Sequence, residues 1–567
     1  MSRGCDMTLK PNNHVRTDVL VIGGGGAGLR AAIEAQARGA RVLVISQSRV
    51  GYGSNTTIAG GAVAAVLSPS KGRRDPLDST EQHLADTVSS GRFINDQSMM
   101  QTVADGAEEE VEALRNFGVE FAAPKAHPWL RLSYDPGHSR RRIIHGQTFF
   151  GTDFTFPLRR YALAQGVEFG EGLLVTRLLM SRGAVVGAMS IDSKGEAVMF
   201  EAPAVVLATG GLGQVYSRTD NTGGSTGDGY VLAYKAGAVL QDMEFVQYYP
   251  ACMGLGSPAL FYESLLIGTK ARILNSRGED IVEKYGLADP MSMTRDRLSI
   301  AIGKELDASE GLDGKVVLDL EHCPPDRMEV MWPVMPKAVL KGERRLAVAP
   351  AVHFHMGGVI VNGRAETSVP GLYAACEVTA GVHGANRLSG NALTEAWVFG
   401  AIAGREAALR ARETDAGPLS KDEMSAEKER LQGLTLRRNG EAAKTMLQSL
   451  KDSMWNNAGL IRDAHSLNQA LDVIEGLQSR FDDDTVGDGR RPQSVVRLGN
   501  MLAVSEMICR AALYRGESRG AHYRRDCPEQ NDADWLRNVV IANKNGKMSL
   551  TTEPVKLTKV QPPARGR

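Results

Sequence analysis

Residues 18–28 read Asp-Val-Leu-Val-Ile-Gly-Gly-Gly-Gly-Ala-Gly, and this stretch decides the fold class. The four apolar residues are typical of a buried strand, and the glycines that follow are typical of a tight turn. Residues 30–38 then have helical spacing, and residues 41–45 read Arg-Val-Leu-Val-Ile, a second buried strand. This order of strand, turn, helix and strand predicts a βαβ unit with a parallel sheet, as in Rossmann-like folds.

The glycine turn has the spacing of a dinucleotide-binding fingerprint, Gly23-x-Gly25-x-x-Gly28. The first glycine permits the turn, and the second lets the backbone approach a pyrophosphate at the positive end of the helix. An acidic residue often follows the second strand to hold a ribose, but Ser46-Gln47 stands there. The motif by itself predicts a dinucleotide and does not distinguish FAD from NAD.

The composition is that of an ordinary globular protein. The chain has 567 residues, of which 43% are hydrophobic and 23% charged, and its formal net charge is zero. This length predicts roughly two to four domains. The zero net charge argues against nucleic acid or an anionic membrane surface as the main partner. We find no signal-peptide pattern and no apolar run of about 18 residues, so we expect a cytoplasmic protein without a membrane span.

The six cysteines are scattered along the chain, and no CxxC pair occurs. Such scattering is typical of proteins from a reducing compartment. Iron–sulfur clusters need closely spaced thiolates, so we expect no cluster and no other metal site in this chain.

Three blocks in the second half carry a family resemblance. Residues 353–358 read His-Phe-His-Met-Gly-Gly, residues 371–377 read Gly-Leu-Tyr-Ala-Ala-Cys-Glu, and residues 383–391 read His-Gly-Ala-Asn-Arg-Leu-Ser-Gly-Asn. Together with the fingerprint, they resemble the flavoprotein subunits of succinate dehydrogenase and fumarate reductase, and L-aspartate oxidase. Further blocks resemble the same family at 51–61, 208–211 and 226–229.

The resemblance implies an α/β protein with a Rossmann-like FAD-binding domain, an inserted α+β capping domain and a C-terminal helical domain. We expect the FAD-binding domain in residues 15–242 and 351–411 and the capping domain in residues 243–350, where the βαβ rhythm is lost. The helical domain is expected in residues 420–530, and residues 531–567 are expected to form a C-terminal tail or hairpin.

FAD is the cofactor that the resemblance implies. Glu377 would contact its ribose or ribityl hydroxyls. The whole set of expected FAD-binding residues is Gly23, Gly25, Gly26, Ala27, Gly28, Ser46, Gln47, Ser54, Asn55, Thr56, Thr57, Gly60, Gly61, Ala208, Thr209, Gly210, Gly211, Asp228, Glu377, Arg387, Asn391, Ala392 and Leu393. Succinate dehydrogenases carry a histidine bonded to the flavin six residues before a Gly-Gly pair, and this position is Ser54 here. We therefore expect non-covalent FAD with a lower reduction potential.

Two residues match the positions that hold the substrate carboxylate in the family, His353 and Arg387. Arginine offers a planar fork matched to a carboxylate, and histidine adds a tunable donor. His355 and His383 are expected to be structural. The family's other carboxylate grip, a His-Pro-Thr triplet, reads Tyr-Pro-Ala at residues 249–251. Two hydrogen bonds to a second carboxylate would be lost, at about 1.5–3 kcal/mol each, so fumarate is not the expected substrate.

The family's proton donor is an arginine in an Arg-Gly-Glu-Gly segment, and Ile267 stands at that position when the segments are aligned. A buried tyrosine or lysine can also act as a general acid. Tyr249 and Lys270 are the candidates that we place in the site, and Arg272 and Tyr262 are further candidates.

Two other blocks resemble the family. Residues 137–145 read Gly-His-Ser-Arg-Arg-Arg-Ile-Ile-His, and residues 517–523 read Glu-Ser-Arg-Gly-Ala-His-Tyr. Arg519 and His522 are expected to join domains through ion pairs and hydrogen bonds. For His138 and Arg140, both a functional and a structural role are open.

The leading functional hypothesis is an FAD-dependent oxidoreductase that exchanges a hydride with a small carboxylate-bearing substrate. Its electrons would pass through a partner iron–sulfur subunit, by which the chain would associate with a membrane. The alternatives are an enzyme like L-aspartate oxidase with dioxygen as acceptor, an enzyme like adenylylsulfate reductase, and an electron-transfer subunit without substrate chemistry of its own.

Overall fold

The structure is a computed structural model of the full chain, and it describes residues 14–68, 75–123, 130–253, 259–260, 266–267, 269–308, 315–324, 337–436, 441–486 and 492–563. The strands β1 to β22 are, in order, His14–Arg16, Val19–Ile22, Val42–Ser46, Ala62–Ala64, Ile143–His145, Glu168–Glu171, Leu174–Ser181, Ala184–Ile191, Ala197–Glu201, Ala204–Leu207, Leu240–Gln241, Val246–Met253, Ala259–Leu260, Arg272–Leu274, Val316–Asp319, Arg345–His355, Gly358–Val359, Leu372–Ala374, Glu441–Ala442, Thr485–Val486, Arg537–Lys544 and Lys547–Pro554.

The helices α1 to α15 are, in order, Gly26–Ala37, Asn55–Ile58, Thr80–Ser90, Gln97–Asn116, Thr152–Ala164, Asp228–Lys235, Ile281–Lys284, Arg295–Asp307, Lys337–Leu340, Asn391–Glu413, Lys421–Leu436, Ala443–Asn457, Ala464–Asp484, Pro492–Tyr514 and Asp532–Trp535. Two short 3₁₀ turns lie at Gly213–Val215 and Cys376–Val378.

A five-stranded parallel sheet forms the centre of the fold, in the order β18-β10-β2-β3-β6. Strands β2 and β3 are buried along their whole lengths, because helices cover both faces of such a sheet. Helix α1 follows β2 directly after the glycine turn and leads to β3, which confirms the predicted βαβ unit. Helix α1 packs closely on α10, where a Cβ at Gly404 would lie 2.2 Å from the carbonyl oxygen of Ala31. The chain therefore needs glycine at this crossing.

A second sheet interrupts the parallel one between β6 and β10. It has the order β1-β9-β8-β7, with three antiparallel strands that join in sequence and β1 added in parallel.

A separate antiparallel sheet has the order β13-β12-β16-β15-β14 and its own apolar core with α7 and α8. Strand β16 is continuous from Arg345 to His355 and pairs with β12. It therefore runs through residue 350, where we expected a domain boundary. His353 lies near the end of this strand.

The C-terminal part contains the long helices α12 to α14, which pack on one another. The hairpin of β21 and β22, in the segment expected as a tail, pairs with β11 and extends a sheet of order β17-β11-β21-β22. None of the helices within the described ranges combines the length and the apolar character needed to cross a bilayer.

Candidate active site

One large cavity lies along the carboxyl edge of the parallel sheet and contains about 1700 Å³ of empty space, part of it open to solvent. In open α/β sheets this edge is the usual ligand-binding position. Most residues that we expected to bind FAD line it: Gly23, Gly25, Gly26, Ala27, Ser46, Gln47, Ser54, Asn55, Thr56, Gly60, Ala208, Thr209, Gly210, Asp228, Glu377, Arg387, Ala392 and Leu393.

Five residues expected to bind FAD do not line this cavity: Gly28, Thr57, Gly61, Gly211 and Asn391. A Cβ at Gly28 would lie 1.9 Å from the carbonyl oxygen of Gly23, so this glycine is required for packing inside the fingerprint. Asn391 is fully buried and hydrogen-bonds His83 and Thr87. Gly28 and Asn391 thus have packing and hydrogen-bond contacts inside the fold rather than in the cavity lining.

The glycine turn has the geometry of a pyrophosphate site. Gly23 has a φ of +121°, and a Cβ there would lie 2.0 Å from the carbonyl oxygen of Ala208. Helix α1 begins at Gly26, whose N–H donates to Thr56 Oγ1 at 3.2 Å, and Gly25 caps it without a side chain. The helix N-terminus thus presents backbone donors and its positive end to the cavity.

Glu377 is a buried carboxylate on the cavity wall. Its Oε1 accepts from the backbone N–H of His355 at 3.1 Å, and its Oε2 accepts from Asn55 Nδ2 at 3.4 Å. Burial raises the pKa of Glu377 to about 7, and the nearby Arg387 partly offsets this. A buried carboxylate in this environment suits the hydroxyl donors of a ribityl chain or ribose, which would favour its ionised form.

Ser54 begins the short helix α2 and lines the cavity. Its hydroxyl accepts from the backbone N–H of Thr57 at 3.3 Å, which is a standard N-cap contact. Within the described lining, His353 is the one histidine, and it lies at the end of the cavity where two arginines and a tyrosine meet.

Four side chains meet at that end of the cavity: Tyr249, Arg295, His353 and Arg387. The ring of Tyr249 lies 5.1 Å from the imidazole of His353, and the Arg295 guanidinium lies 4.7 Å from the centre of the Tyr249 ring. Tyr249 is almost fully buried, whereas Arg295 and His353 are half-buried. Two guanidinium cations and an imidazole thus meet at one end of the cavity, a set of groups whose chemistry suits an acid group.

Asp220 orients His353. Its carboxylate lies 2.6 Å from His353 Nδ1, which donates to it, so Nε2 is left for a ligand. Burial lowers the pKa of His353, Asp220 raises it in part, and the positive charges of Arg387 and Arg295 lower it again. The net effect is a His353 pKa below its usual value, which favours the neutral imidazole.

Arg387 is held by its own neighbours. Its Nε donates to Gln247 Oε1 at 3.1 Å, and its guanidinium lies 4.6 Å from the centre of the Phe354 ring. Gln247 in turn donates to the Arg387 carbonyl at 2.8 Å. Side chains from β12, β16 and the loop before α10 thus fix the guanidinium in one orientation.

Arg295 is a site residue that the sequence did not reveal to us. It is the first residue of α8 and follows the N-cap residue Thr294, and its Nη2 donates to Ser389 Oγ at 3.4 Å. The signal available was a Thr-Arg-Asp helix start at residues 294–296. That signal locates a helix end, but the cavity it faces depends on the packing of α8 on β12 and β16. Asp220, Asp135 and Ser389, which also line the cavity, were missed for the same reason.

The structure does not bring the other proton-donor candidates into the cavity lining. Lys270 is exposed at the surface, so it is not at the site where we expected it. Ile267 packs against the apolar core that the antiparallel sheet forms with α7 and α8, and Arg272 forms an ion pair with Asp319 at 3.1 Å. Tyr262 lies outside the described residues. Instead, Arg295 from α8 places a guanidinium in the cavity lining.

The remaining histidines and arginines have contacts away from the four-residue end. His355 binds the carbonyls of Gly357 and Met243, and His383 lies 2.8 Å from Glu395. Arg519 pairs with Glu517 and Asp532, and His522 contacts Arg462. His138 contacts Arg142 and the carbonyl of Ser389, and Arg140 is half-buried away from the lining. Such contacts join elements of the fold.

The chain is similar to known flavoproteins along most of its length. The FAD binding domain model matches residues 18–393, and the fumarate reductase flavoprotein C-terminal model matches residues 447–567. An uncharacterized FAD-dependent oxidoreductase of Methanocaldococcus jannaschii is 33% identical over 546 residues, 94% of this chain and 97% of that one. The fumarate reductase flavoprotein subunit of Mycobacterium tuberculosis is 33% identical over 594 aligned positions, 97% of this chain and 98% of that one. The structure of E. coli quinol fumarate reductase FrdA has a TM-score of 0.88 at 28% identity and covers 98% of this chain and 99% of its own.

Proposed function

The chain belongs to the family of fumarate reductase and succinate dehydrogenase flavoproteins and is an FAD-dependent oxidoreductase, and we propose that it interconverts an α,β-unsaturated carboxylate and its saturated counterpart. One observation carries the proposal. Arg295, His353, Arg387 and Tyr249 meet at one end of a cavity whose other walls carry the glycine turn and Glu377. The residues that we propose for binding the acid group and those that we propose for binding the cofactor line one cavity.

The residues present fit FAD. The donors at the start of α1 suit its pyrophosphate, and the buried carboxylate of Glu377 suits its hydroxyl groups. When bound, FAD supplies the hydride chemistry of the reaction. We propose that it is held without a covalent bond, because Ser54 stands where the resemblance expects a bonding histidine and its hydroxyl caps α2.

We propose that Arg387 and His353 bind the substrate carboxylate. Arg387 is fixed by Gln247 and offers a fork, and His353 offers Nε2 because Asp220 holds Nδ1. A bound anion would raise the pKa of His353, so the imidazole would take up a proton and donate a second charged hydrogen bond.

We propose Arg295 as the proton donor to the substrate carbon next to the one that exchanges the hydride. Arg295 and Arg387 line the same end of the cavity, and the accepting carbon becomes strongly basic during hydride addition. Tyr249, which its position in the sequence suggests as a proton donor, then has a different role. Its ring supports the Arg295 guanidinium through a cation–π contact at 4.7 Å.

We propose that the group at the far end of the substrate is uncharged. Tyr249 and Ala251 occupy the positions of the family's second carboxylate grip, and both are almost fully buried. Tyr249 lines the cavity and packs with Cys252 and Ala351 in a small apolar cluster, whereas Ala251 belongs to the apolar core with α7 and α8. The relatives named fumarate reductase would by their names act on a dicarboxylate, but this wall favours a monocarboxylate or a half-ester.

We also propose an iron–sulfur partner subunit that exchanges electrons with the flavin. The support is indirect: the six cysteines are dispersed in sequence, so the chain does not carry the closely spaced thiolates of such clusters. Dioxygen as acceptor is the alternative, and anaerobic and aerobic turnover of the purified chain distinguish them.

A substrate screen on the reduced flavoprotein tests this function. The protein is reduced with dithionite without oxygen and mixed with fumarate, monomethyl fumarate or crotonate, and the visible flavin band is followed. We expect the band to return with monomethyl fumarate or crotonate faster than with fumarate. Failure of every enoate to restore the band would overturn the proposed function.

A further inference from the structure

We infer that Asp135 and Ser389 form a proton-supply line to Arg295. The inference rests on the proposed function, in which Arg295 gives a proton to the substrate and must be reprotonated before the next turnover. Asp135 and Ser389 act through Arg295 and are therefore positioning residues.

The three side chains form a continuous chain of hydrogen bonds. Arg295 Nη2 donates to Ser389 Oγ at 3.4 Å, and Ser389 Oγ donates to Asp135 Oδ2 at 2.7 Å. All three residues are half-buried and line the main cavity. Arg295 and Ser389 also line a second, smaller cavity together with Pro136, the neighbour of Asp135. The line thus starts at a half-buried carboxylate of the cavity lining and ends at the guanidinium.

The proton transfers balance without a further reactant. A solvent proton binds an Asp135 carboxylate oxygen. The resulting O–H gives its proton to Ser389 Oγ as Ser389 gives its own proton to the neutral Arg295 Nη2. Only O–H and N–H bonds form and break, and no group is oxidised or reduced. Transfer from a carboxylic acid to a neutral guanidine is strongly downhill, because their ordinary pKa values differ by roughly 9 units.

The other carboxylates of the described lining are bound to different partners. Asp220 holds His353 Nδ1, and Glu377 accepts from the backbone of His355. Asp228 is bound by Thr226 and Asn500. Asp296, the neighbour of Arg295 in sequence, pairs with Arg92 at 2.6 Å. The contacts described for these groups lead away from Arg295, whereas those of Asp135 lead to it.

Three titratable or charged groups lie around Asp135. Arg295 is reached through Ser389, and the charge of Asp135 raises the pKa of His138 from its own segment and of His145 from β5, although burial lowers the pKa of both. His138 is bound to Arg142 and to the Ser389 carbonyl, so it fixes the main chain at Ser389.

The test uses the full flavoprotein, reduced and mixed with the fastest enoate among fumarate, monomethyl fumarate and crotonate. Asp135→Asn keeps the acceptor for Ser389 but cannot carry a proton, and Ser389→Ala breaks the line. Asp135→Glu restores the carboxyl group. Asp289→Asn is the matched control, because Asp289 is an exposed carboxylate on a neighbouring loop.

We expect Asp135→Asn and Ser389→Ala to lower kcat by about 10- to 100-fold, with KM and bound FAD close to wild type. The solvent deuterium isotope effect on kcat should rise in both, since proton supply becomes limiting. Asp135→Glu should recover most of kcat, and Asp289→Asn should keep it. If Asp135→Asn kept the wild-type kcat and isotope effect, the proton-supply line would be ruled out and the proposed function would still stand. A wild-type protein inactive with every enoate would overturn both.

Discussion

His353 Nδ1 and the carboxylate of Asp220 lie 2.6 Å apart, although 132 residues of chain separate their positions. Strand β16 carries the imidazole inward, and the turn after Gly213–Val215 brings the carboxylate to it. The contact fixes the imidazole ring and leaves Nε2 for a ligand. It also offsets part of the lowering of the His353 pKa by burial. The protonation of this imidazole should therefore depend on whether an anion is bound.

Carboxylate binding should weaken as the pH rises. The His353 pKa lies below its usual value in the free site, and a bound carboxylate raises it, so binding takes up a proton. Affinity is then greatest below the pKa of the free site and falls as the pH rises through the pKa of the complex, by up to about tenfold per unit. Flavin difference spectra with propionate between about pH 5 and 9 measure this. His353→Gln should remove the pH dependence, and its persistence in that variant would assign the proton to another group.

Glu377→Gln should stabilise the FAD-free protein at alkaline pH. Burial raises the Glu377 pKa to about 7, above the usual 4.5, so its stabilising contribution is present below 4.5 and is lost as the pH rises through 7. The loss amounts to about 3 kcal/mol at pH 8. Thermal unfolding of the deflavinated variant and wild type at pH 5 and pH 8 tests it.

The same Glu377→Gln variant should bind FAD at least tenfold more weakly, because a charged acceptor for hydroxyl donors is lost, by roughly 1.5–3 kcal/mol. Titration with FAD measures this. Wild-type affinity would show that Glu377 does not contact the cofactor.

Acid precipitation should release all of the flavin. Ser54 has no nucleophilic ring nitrogen, and its hydroxyl is engaged at the start of α2. The expected result is a colourless pellet and a yellow supernatant after precipitation with trichloroacetic acid. A pellet that keeps its flavin absorbance after washing would show a covalent link formed by a residue other than Ser54.

Arg387→Gln should abolish carboxylate binding and leave FAD bound. Glutamine lacks the two terminal nitrogens of the guanidinium fork. It can still keep a hydrogen bond to Gln247, whose Oε1 accepts from the native Arg387 Nε at 3.1 Å. Loss of a bidentate charged contact should weaken binding of propionate by about 100-fold, by flavin difference spectra. Arg364→Gln, on an exposed ion pair with Glu406, is the control. Loss of FAD from Arg387→Gln alone would assign this arginine to the cofactor.

The fingerprint shows which features a sequence can reveal. The strand, turn and helix of residues 19–37 depend on neighbours in sequence, and the glycine spacing follows from one close approach, so the structure confirms them. That His353 and Arg387 line the same cavity could be predicted, because a family motif marks each of them.

Arg295 shows what a sequence cannot reveal. Its side chain reaches the cavity only because α8 packs on β12 and β16, whose pairing joins residues about a hundred positions apart. Lys270 shows the same dependence on packing. A family alignment marked its segment, but its side chain is exposed and does not line the cavity.

The most direct test of the whole mechanism is a single-turnover experiment on Arg295→Gln. The reduced flavoprotein is mixed anaerobically with the best enoate, and the rate at which the flavin band returns is compared with that of wild type and Tyr249→Phe. We predict a fall of about 10²- to 10⁴-fold for Arg295→Gln, with FAD and propionate affinity retained, and less than about tenfold for Tyr249→Phe. An undiminished rate in Arg295→Gln would contradict the assignment of Arg295 as the proton donor.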